Sequence, residues 1–314
     1  MKLSRTIISL SLIASVVILA TPPAFMAGKS QPQGKVTPQM MLLHVRVVDS
    51  NNNPVTDVPQ TSFQLTEDGI PQKIELFMDQ EVPLTYGVAI DASGSIRSQI
   101  RDVLRAATNI VNANKPDDET FLIRFISSDK IETLQPLTTD KKLLLDGIAG
   151  FYIEGGQTAV IDAVYLSADY LAKQMTEDRR LRRRALILVS DGEDRLSYYK
   201  PEALLQFLAS TDTQIFTIAL TKDLKGKSLE KALKLLNQLG RDTGGRTYFP
   251  SSPGDVERIS NQIIKDIRTQ YVIGYVPSGG DAAKPFHKVE VSIAEGPNQE
   301  KRAAITRVGY QNRK

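Results

Sequence analysis

Five consecutive residues, Asp91-Ala92-Ser93-Gly94-Ser95, set a carboxylate and two hydroxyls where an apolar run, Tyr86–Ile90, gives way to a helical pattern starting near Ile96. All three are hard oxygen donors, the kind that suit Mg²⁺, Mn²⁺ or Ca²⁺. Gly94 lets the backbone turn sharply, so that Asp91, Ser93 and Ser95 can converge on one point. In open α/β sheets ligands bind beyond the carboxyl ends of the strands, where this loop is expected to lie. Two further segments can complete such a site. Glu154-Gly155-Gly156-Gln157-Thr158 is a glycine turn entering an apolar helix, and Leu186–Val189 runs into Ser190-Asp191-Gly192. They add Thr158 and Asp191. Taken one loop at a time, a plainer reading is available. Asp91 with Ser93 or Ser95 can cap a helix N-terminus, and Asp191-Gly192 can be a strand-end turn.

The surrounding pattern predicts the elements that would position these residues. Strands are expected at Thr85–Ile90, Phe121–Ile126, Ala185–Val189, Gln214–Leu220 and Tyr271–Tyr275, with a short antiparallel neighbour at Lys130–Leu134. Helices are expected at Ile96–Asn112, Leu143–Ile148, Ala159–Leu171, Pro201–Ala209, Leu229–Leu239 and Val256–Ile267, the first carrying Ile96, Ile100, Val103, Leu104, Ala107 and Ile110 on one face. Alternating strands and helices predict an α/β fold, doubly wound, with a mostly parallel central sheet covered by helices on both faces. Short alternating strands flank it: Met41–Val48, Ser62–Glu67 and Lys73–Phe77 before, His287–Ile293 and Arg302–Val308 after. The last two are expected to pair as a hairpin, and all five to form one small β module, since neither group is stable alone. The implied boundaries are 1–27 for a leader, 28–39 for a linker, 40–82 for an N-terminal β segment, 83–276 for the α/β domain and 277–314 for a C-terminal β segment.

The set Asp91, Ser93, Ser95, Thr158 and Asp191, in that order and strand context, resembles the metal-ion-dependent adhesion site of von Willebrand factor A domains: an Asp-x-Ser-x-Ser loop, a distant Thr and a more distant Asp. One departure is Gln157, where many members carry Gly-Gly-Thr. A bacterial subgroup is matched by Val55-Thr56-Asp57, Phe63, Glu67-Asp68-Gly69 and Gln72-Lys73-Ile74 ahead of the loop, and by Tyr271–Tyr275 and Arg307–Tyr310 behind it. The resemblance implies a divalent ion, Mg²⁺ or else Mn²⁺ or Ca²⁺, held by three neutral ligands and two carboxylates. An open position then takes an Asp or Glu of a protein partner. It implies a binding module rather than an enzyme. A metal-dependent hydrolase is the rival class, but no base stands near the site, and no Walker loop or second cluster of His and carboxylates is visible in the chain. A scaffold with an unused metal site is the other alternative.

Composition narrows the rest. The 314 residues are 41% hydrophobic and 24% charged, ordinary for a globular protein. With no Cys there is neither a disulfide nor a thiolate metal site, and the two histidines, His44 and His287, fall in different expected strands. Net charge is +3, and loss of Lys2 and Arg5 with a leader would leave +1, too little to argue for nucleic acid. Met1–Arg5 is basic and Thr6–Ala20 uncharged, the layout of a secretory signal. Cleavage near Ala24 or Ala27 is favoured over a retained membrane anchor; either predicts a secreted or periplasmic chain. The run Arg179, Arg180, Arg182, Arg183 and Arg184 reads as a solvated basic turn, and Glu193-Asp194 as a solvated loop. Tyr198-Tyr199 reads equally as contact aromatics or loop filler. Asp49–Pro54 is a turn rather than a calcium loop, because Pro54 stands where glycine is needed.

Overall fold

A computed structural model describes residue 37 and residues 40–312 except 175, 177, 178, 282 and 298. The expected leader, and the linker apart from Thr37, lie outside the described residues. Among those described, no helix is long and apolar enough to cross a membrane.

The central sheet has six strands in the order β10-β9-β8-β5-β6-β7. Its members are β5 (Leu84–Asp91), β6 (Glu119–Phe125), β7 (Ile131–Thr138), β8 (Arg183–Ser190), β9 (Gln214–Ala219) and β10 (Arg246–Tyr248). All neighbours pair in parallel except β6 and β7. Three helices cover one face, α1 (Ile100–Asn112), α2 (Lys141–Ala149) and α6 (Pro253–Arg268); three cover the other, α3 (Val160–Lys173), α4 (Pro201–Ser210) and α5 (Gly226–Thr243). The pleat sorts the central strands between these layers. Tyr86, Val88 and Ile90 of β5 join the α1/α6 side, as do Ala185, Ile187 and Val189 of β8, while Ala89, Leu186 and Leu188 join the α3 side. Gly87 has no side chain because the Phe121 ring occupies the space a Cβ would need.

The chain leaves β5 in one direction, to β6 and β7, and later returns to β5's other edge as β8, then moves on to β9 and β10. The sheet therefore reverses its winding between β5 and β8. The loops leaving these two strands part to opposite faces and open a crevice at their carboxyl ends.

The flanks form more than a small module. Two four-stranded sheets, β13-β1-β11-β4 and β14-β12-β2-β3, enclose one core that includes Leu43, Val45, Phe63, Phe77, Tyr271, Tyr275 and Tyr310. Their strands are β1 (Met41–Asp49), β2 (Phe63–Glu67), β3 (Ile70–Gln72), β4 (Leu76–Met78), β11 (Tyr271–Tyr275), β12 (Phe286–Ile293), β13 (Arg302–Ile305) and β14 (Gly309–Gln311). Two expectations are corrected. The strand at 271–275, assigned to the α/β domain, lies between β1 and β4 in the sandwich. The 302–308 segment meets β12 only at its end, where the Val308 carbonyl accepts the Val289 amide at 3.0 Å; β13 adds to the edge of β1, and β12 pairs with β2 and β14. An apolar strand reads the same in sequence whichever sheet it completes. β10 was not anticipated, because three residues after a double glycine carry no period.

Candidate functional site

Asp91 ends β5 at the reversal point and is fully buried. Both of its oxygens are held. Oδ1 accepts the Ser93 amide at 2.8 Å, and Oδ2 accepts the Ser190 hydroxyl at 2.7 Å. Ser190 Oγ in turn accepts the Gly192 amide at 3.0 Å. The expected helix at Ile96 opens instead as a 3₁₀ stretch, Gly94–Gln99, before α1 begins. Neither Ser93 nor Gln99 caps with its side chain, so the Ser93 and Ser95 hydroxyls are not spent on helix amides. They lie 2.9 Å apart, Ser93 buried and Ser95 exposed.

Thr158 is delivered by the loop that enters α3. Gly155 and Gly156 take φ of 92° and 145°, and a side chain on Gly156 would run into Ile126. The amides of Glu154 and Gly155 both donate to the Ala92 carbonyl at 3.3 Å, and Ala159 donates to Ile126 at 2.7 Å. These bonds tie the glycine turn directly to the Asp91 loop. Thr158 is buried, and its carbonyl accepts the amides of Arg195 and Leu196 at 2.8 and 3.3 Å.

Asp191 follows β8 and is also buried, with Oδ1 accepting the Glu193 amide at 2.9 Å. Gly192, at φ 78°, makes the turn while Leu236 fills the space beside it. The loop beyond it is not simply solvated. Asp194 Oδ1 accepts the Ile161 amide at 3.1 Å at the start of α3, and Ser197 Oγ accepts the Asp162 amide at 3.2 Å. The buried Asp162 accepts the amides of Tyr198 and Tyr199 at 2.7 and 2.9 Å. Glu193 pairs with Arg195 and Ser228. The Thr158 and Asp191 loops thus cap one another. Tyr199 stacks on Tyr165 with centroids 3.8 Å apart, whereas Tyr198 is 80% exposed.

Electrostatically the site is dominated by its two buried carboxylates. Burial pushes the Asp91 carboxyl up to about 6; hydrogen bonds from Ser93 and Ser190 oppose that, and the charge of Asp191 adds to it. Among the described residues no Lys, Arg or His forms an ion pair with Asp91 or Asp191. Two buried carboxylates, two buried hydroxyl residues and the exposed Ser95 form a hard all-oxygen donor set. It fits a divalent cation of the Mg²⁺ type, which these five residues would hold.

Residues not singled out from sequence complete the frame. Ser190 fixes Asp91, Asp162 fixes the Asp191 loop, and Arg124 fixes the Thr158 loop. The Arg124 guanidinium donates to the Tyr152 carbonyl and Glu154 at 3.0 Å each and to Glu132 at 2.9 Å, stacked on the Tyr152 ring. A lone arginine within the apolar run Phe121–Ile126 was the available signal for it. The basic run also needs correction: none of its five arginines is exposed. Arg183 donates to the carbonyls of Ile267 and Gln270 at the end of α6, Arg182 to those of Leu84 and Asp117, and Arg180 to Thr37 and Met40. Arg184 pairs with Asp212 and Arg179 with Glu119. Burial lowers Arg183 to about 9. His44 and His287 are both strand residues, as expected.

The sequence profile of the von Willebrand factor type A domain matches residues 87–275. No curated protein gives a significant match. Among solved structures, an aerotolerance-related membrane protein from Bacteroides fragilis is 17% identical, covering 58% of this chain and 98% of its own, at a TM-score of 0.45. A von Willebrand factor type A protein from Catenulispora acidiphila is 10% identical over 90% of this chain and 75% of its own, at 0.48. Proximal thread matrix protein 1 from the mussel byssus, with a zinc-occupied MIDAS motif, is 17% identical over 65% and 50%, also at 0.48. The profile spans more than half of the sequence, and the chain belongs to the von Willebrand factor type A domain family.

Proposed function

We propose that this chain is an extracytoplasmic, metal-dependent protein-binding module whose Asp91, Ser93, Ser95, Thr158 and Asp191 hold a divalent cation, Mg²⁺ in the first instance, that engages an acidic side chain of a partner protein. Domains of this family act mainly as interaction modules, and the observation that carries the finer reading is the pair of buried carboxylates at the β5/β8 reversal, neither of which forms an ion pair among the described residues. The bound ion supplies one thing, a positive coordination position open to a carboxylate from outside. The chain's own residues do the rest. Ser190 and the Ser93 amide hold Asp91 in one orientation, so little ordering is left for the moment of binding. Tyr198 and Leu196, 80% and 54% exposed on the Asp191 loop, offer apolar surface beside the site for the partner's neighbouring residues. Export rests on the leader-like residues 1–27.

The test is calorimetric titration of the chain with Mg²⁺ and Mn²⁺, wild type beside Asp91→Ala, followed by partner capture with and without EDTA. Saturable 1:1 binding that Asp91→Ala abolishes, with capture sensitive to EDTA, is the expected result. Equal Mg²⁺ affinity in the two proteins would remove the site assignment, and capture indifferent to EDTA would leave a scaffold.

A further inference from the structure

A second group of ligand atoms lies in the β-sandwich, on a different sheet from the strand that carries the Asp91 loop. Glu67 ends β2, Asp68 follows it in the turn to β3, and His287 is the second residue of β12. In sequence, 219 residues separate Asp68 from His287, which is why no cluster is visible there. The register brings them together. Glu67 pairs with Val289, so His287, two residues earlier, projects from the same face. Adjacent strand residues normally point to opposite faces, but Asp68 has a φ of 51°, and this left-handed conformation breaks the alternation and turns its carboxylate back.

The donor atoms are arranged around one point. His287 Nδ1 lies 2.9 Å from Asp68 Oδ2 and 3.5 Å from Glu67 Oε1, and all three atoms fall within 4.8 Å of one another. A tetrahedral zinc ion with bonds of about 2.0–2.1 Å sets its ligands about 3.3 Å apart, between those two separations. The far atom of each ligand is already engaged. Glu67 Oε2 accepts the hydroxyls of Tyr275 and Tyr310 at 2.6 and 3.1 Å. Asp68 Oδ1 accepts the Lys284 ammonium at 2.6 Å and the Lys288 amide at 3.0 Å. The Asn312 amide stands 3.1 Å from His287 Nε2, and Tyr310 stacks on the imidazole. Metal-binding histidines and carboxylates have this outer support. A second observation points inward. Glu67 is 4% exposed, and its Oε1 faces His287 Nδ1. A carboxylate buried this deeply is costly unless a cation stands against it.

We propose that Glu67, Asp68 and His287 form a second metal site that takes a zinc-class transition-metal ion, separate from the all-oxygen site at Asp91. An imidazole nitrogen beside two carboxylates favours zinc over magnesium. On binding, the single proton of the neutral imidazole would move through solvent from Nδ1 to Nε2, toward which Asn312 would turn its amide oxygen. Asp68, at the half-buried mouth, leaves the fourth position to water. The occupied site would pin the β2–β3 turn to the C-terminal strands.

The experiment titrates Zn²⁺ and Co²⁺ into the full chain carrying Asp91→Asn, which silences the first site, and into the same chain with His287→Ala or Glu67→Gln added. One zinc bound per Asp91→Asn chain is expected, with the intense visible absorption of four-coordinate cobalt. Each added substitution should weaken binding about a hundredfold or more. Glu67→Gln keeps the carboxylate's shape and carries the test should His287→Ala unfold. Absence of zinc binding in Asp91→Asn, or equal binding in all three proteins, overturns the site. Wild type binding no more metal than Asp91→Asn would instead count against the Asp91 assignment alone.

Discussion

Asp91→Asn should make the metal-free protein more stable while removing its response to Mg²⁺. Both carboxylate oxygens of Asp91 accept hydrogen bonds, from the Ser93 amide and the Ser190 hydroxyl. An asparagine satisfies the same positions. Its oxygen accepts from Ser93, and its amide donates to Ser190 Oγ, whose proton turns away. Nothing is left unsatisfied except one rotatable hydroxyl proton. What disappears is a buried charge. The carboxyl titrates at about 6 against 3.8 for the free group, so ionisation is resisted by about 2.2 pH units, or about 3 kcal/mol at neutral pH. The sign follows from proton counting. Between about pH 4 and 6 the native state binds more protons at Asp91 than the unfolded chain, so this group's contribution to stability is full below the unfolded value and is lost as pH rises through about 6.

Melting temperatures in EDTA are the direct assay. At pH 7.5 Asp91→Asn should melt roughly 5–10 °C above wild type, allowing for partial relaxation of the site. At pH 4 the two should nearly coincide. Mg²⁺ at a hundred times its dissociation constant should stabilise wild type by about 2.7 kcal/mol and leave the variant unmoved. An Asp91→Asn protein that melts below wild type in EDTA at pH 7.5 would show that the carboxylate is structurally needed without metal. The electrostatic reasoning would then be wrong.

Thr158→Val removes a hydroxyl but keeps the carbonyl that receives Arg195 and Leu196, so the apo melting temperature should stay within about 2 °C while Mg²⁺ affinity falls about tenfold or more by calorimetry. Arg183→Met strips the donors from the end of α6 and should cost about 2–4 kcal/mol in urea denaturation; a loss under about 0.5 kcal/mol would restore the solvated-turn reading. Gly87→Ala forces a methyl against the Phe121 ring and should cost about 1–3 kcal/mol in the same assay, with a neutral result showing that the ring can move aside.

The loops that carry the five proposed ligand positions were legible because each begins where a strongly apolar strand or helix meets polar residues. That contrast survives in sequence without any knowledge of the partner strand. β5 and β8 are buried throughout, and Asp91 and Ser190-Asp191 mark where each meets its loop. The supporting residues lacked that contrast. Ser190 carries a hydroxyl at a strand end, an ordinary feature until β5 is known to be its neighbour. Asp162 looks like first-turn helix acidity, and only the fold shows it receiving two amides from a loop 36 residues later. The arginine run misled for the same reason. Charge density predicts solvation when the partners are unknown, but these partners are mostly backbone carbonyls, which no pattern of side chains announces.

Those arginines also explain how the sandwich and the α/β layer are joined. Helix α6 leaves the central layer and runs directly into β11, the strand between β1 and β4. The junction is held from both sides. Arg183, at the start of β8, covers the last carbonyls of α6, and Arg46 of β1 reaches the buried Asp266 in its final turn. Asp266 also receives Tyr248 at 2.6 Å, Gln262 at 2.7 Å and Arg246 at 3.3 Å, so one carboxylate collects groups from β1, β10 and α6 itself. Separating the two halves would part Arg46 from Asp266 and leave both charges with fewer partners, which makes it costly. Asp91 and Asp191, by contrast, form no ion pair among the described residues. The chain thus concentrates its buried ion pairs where the two layers join rather than at the Asp91 loop.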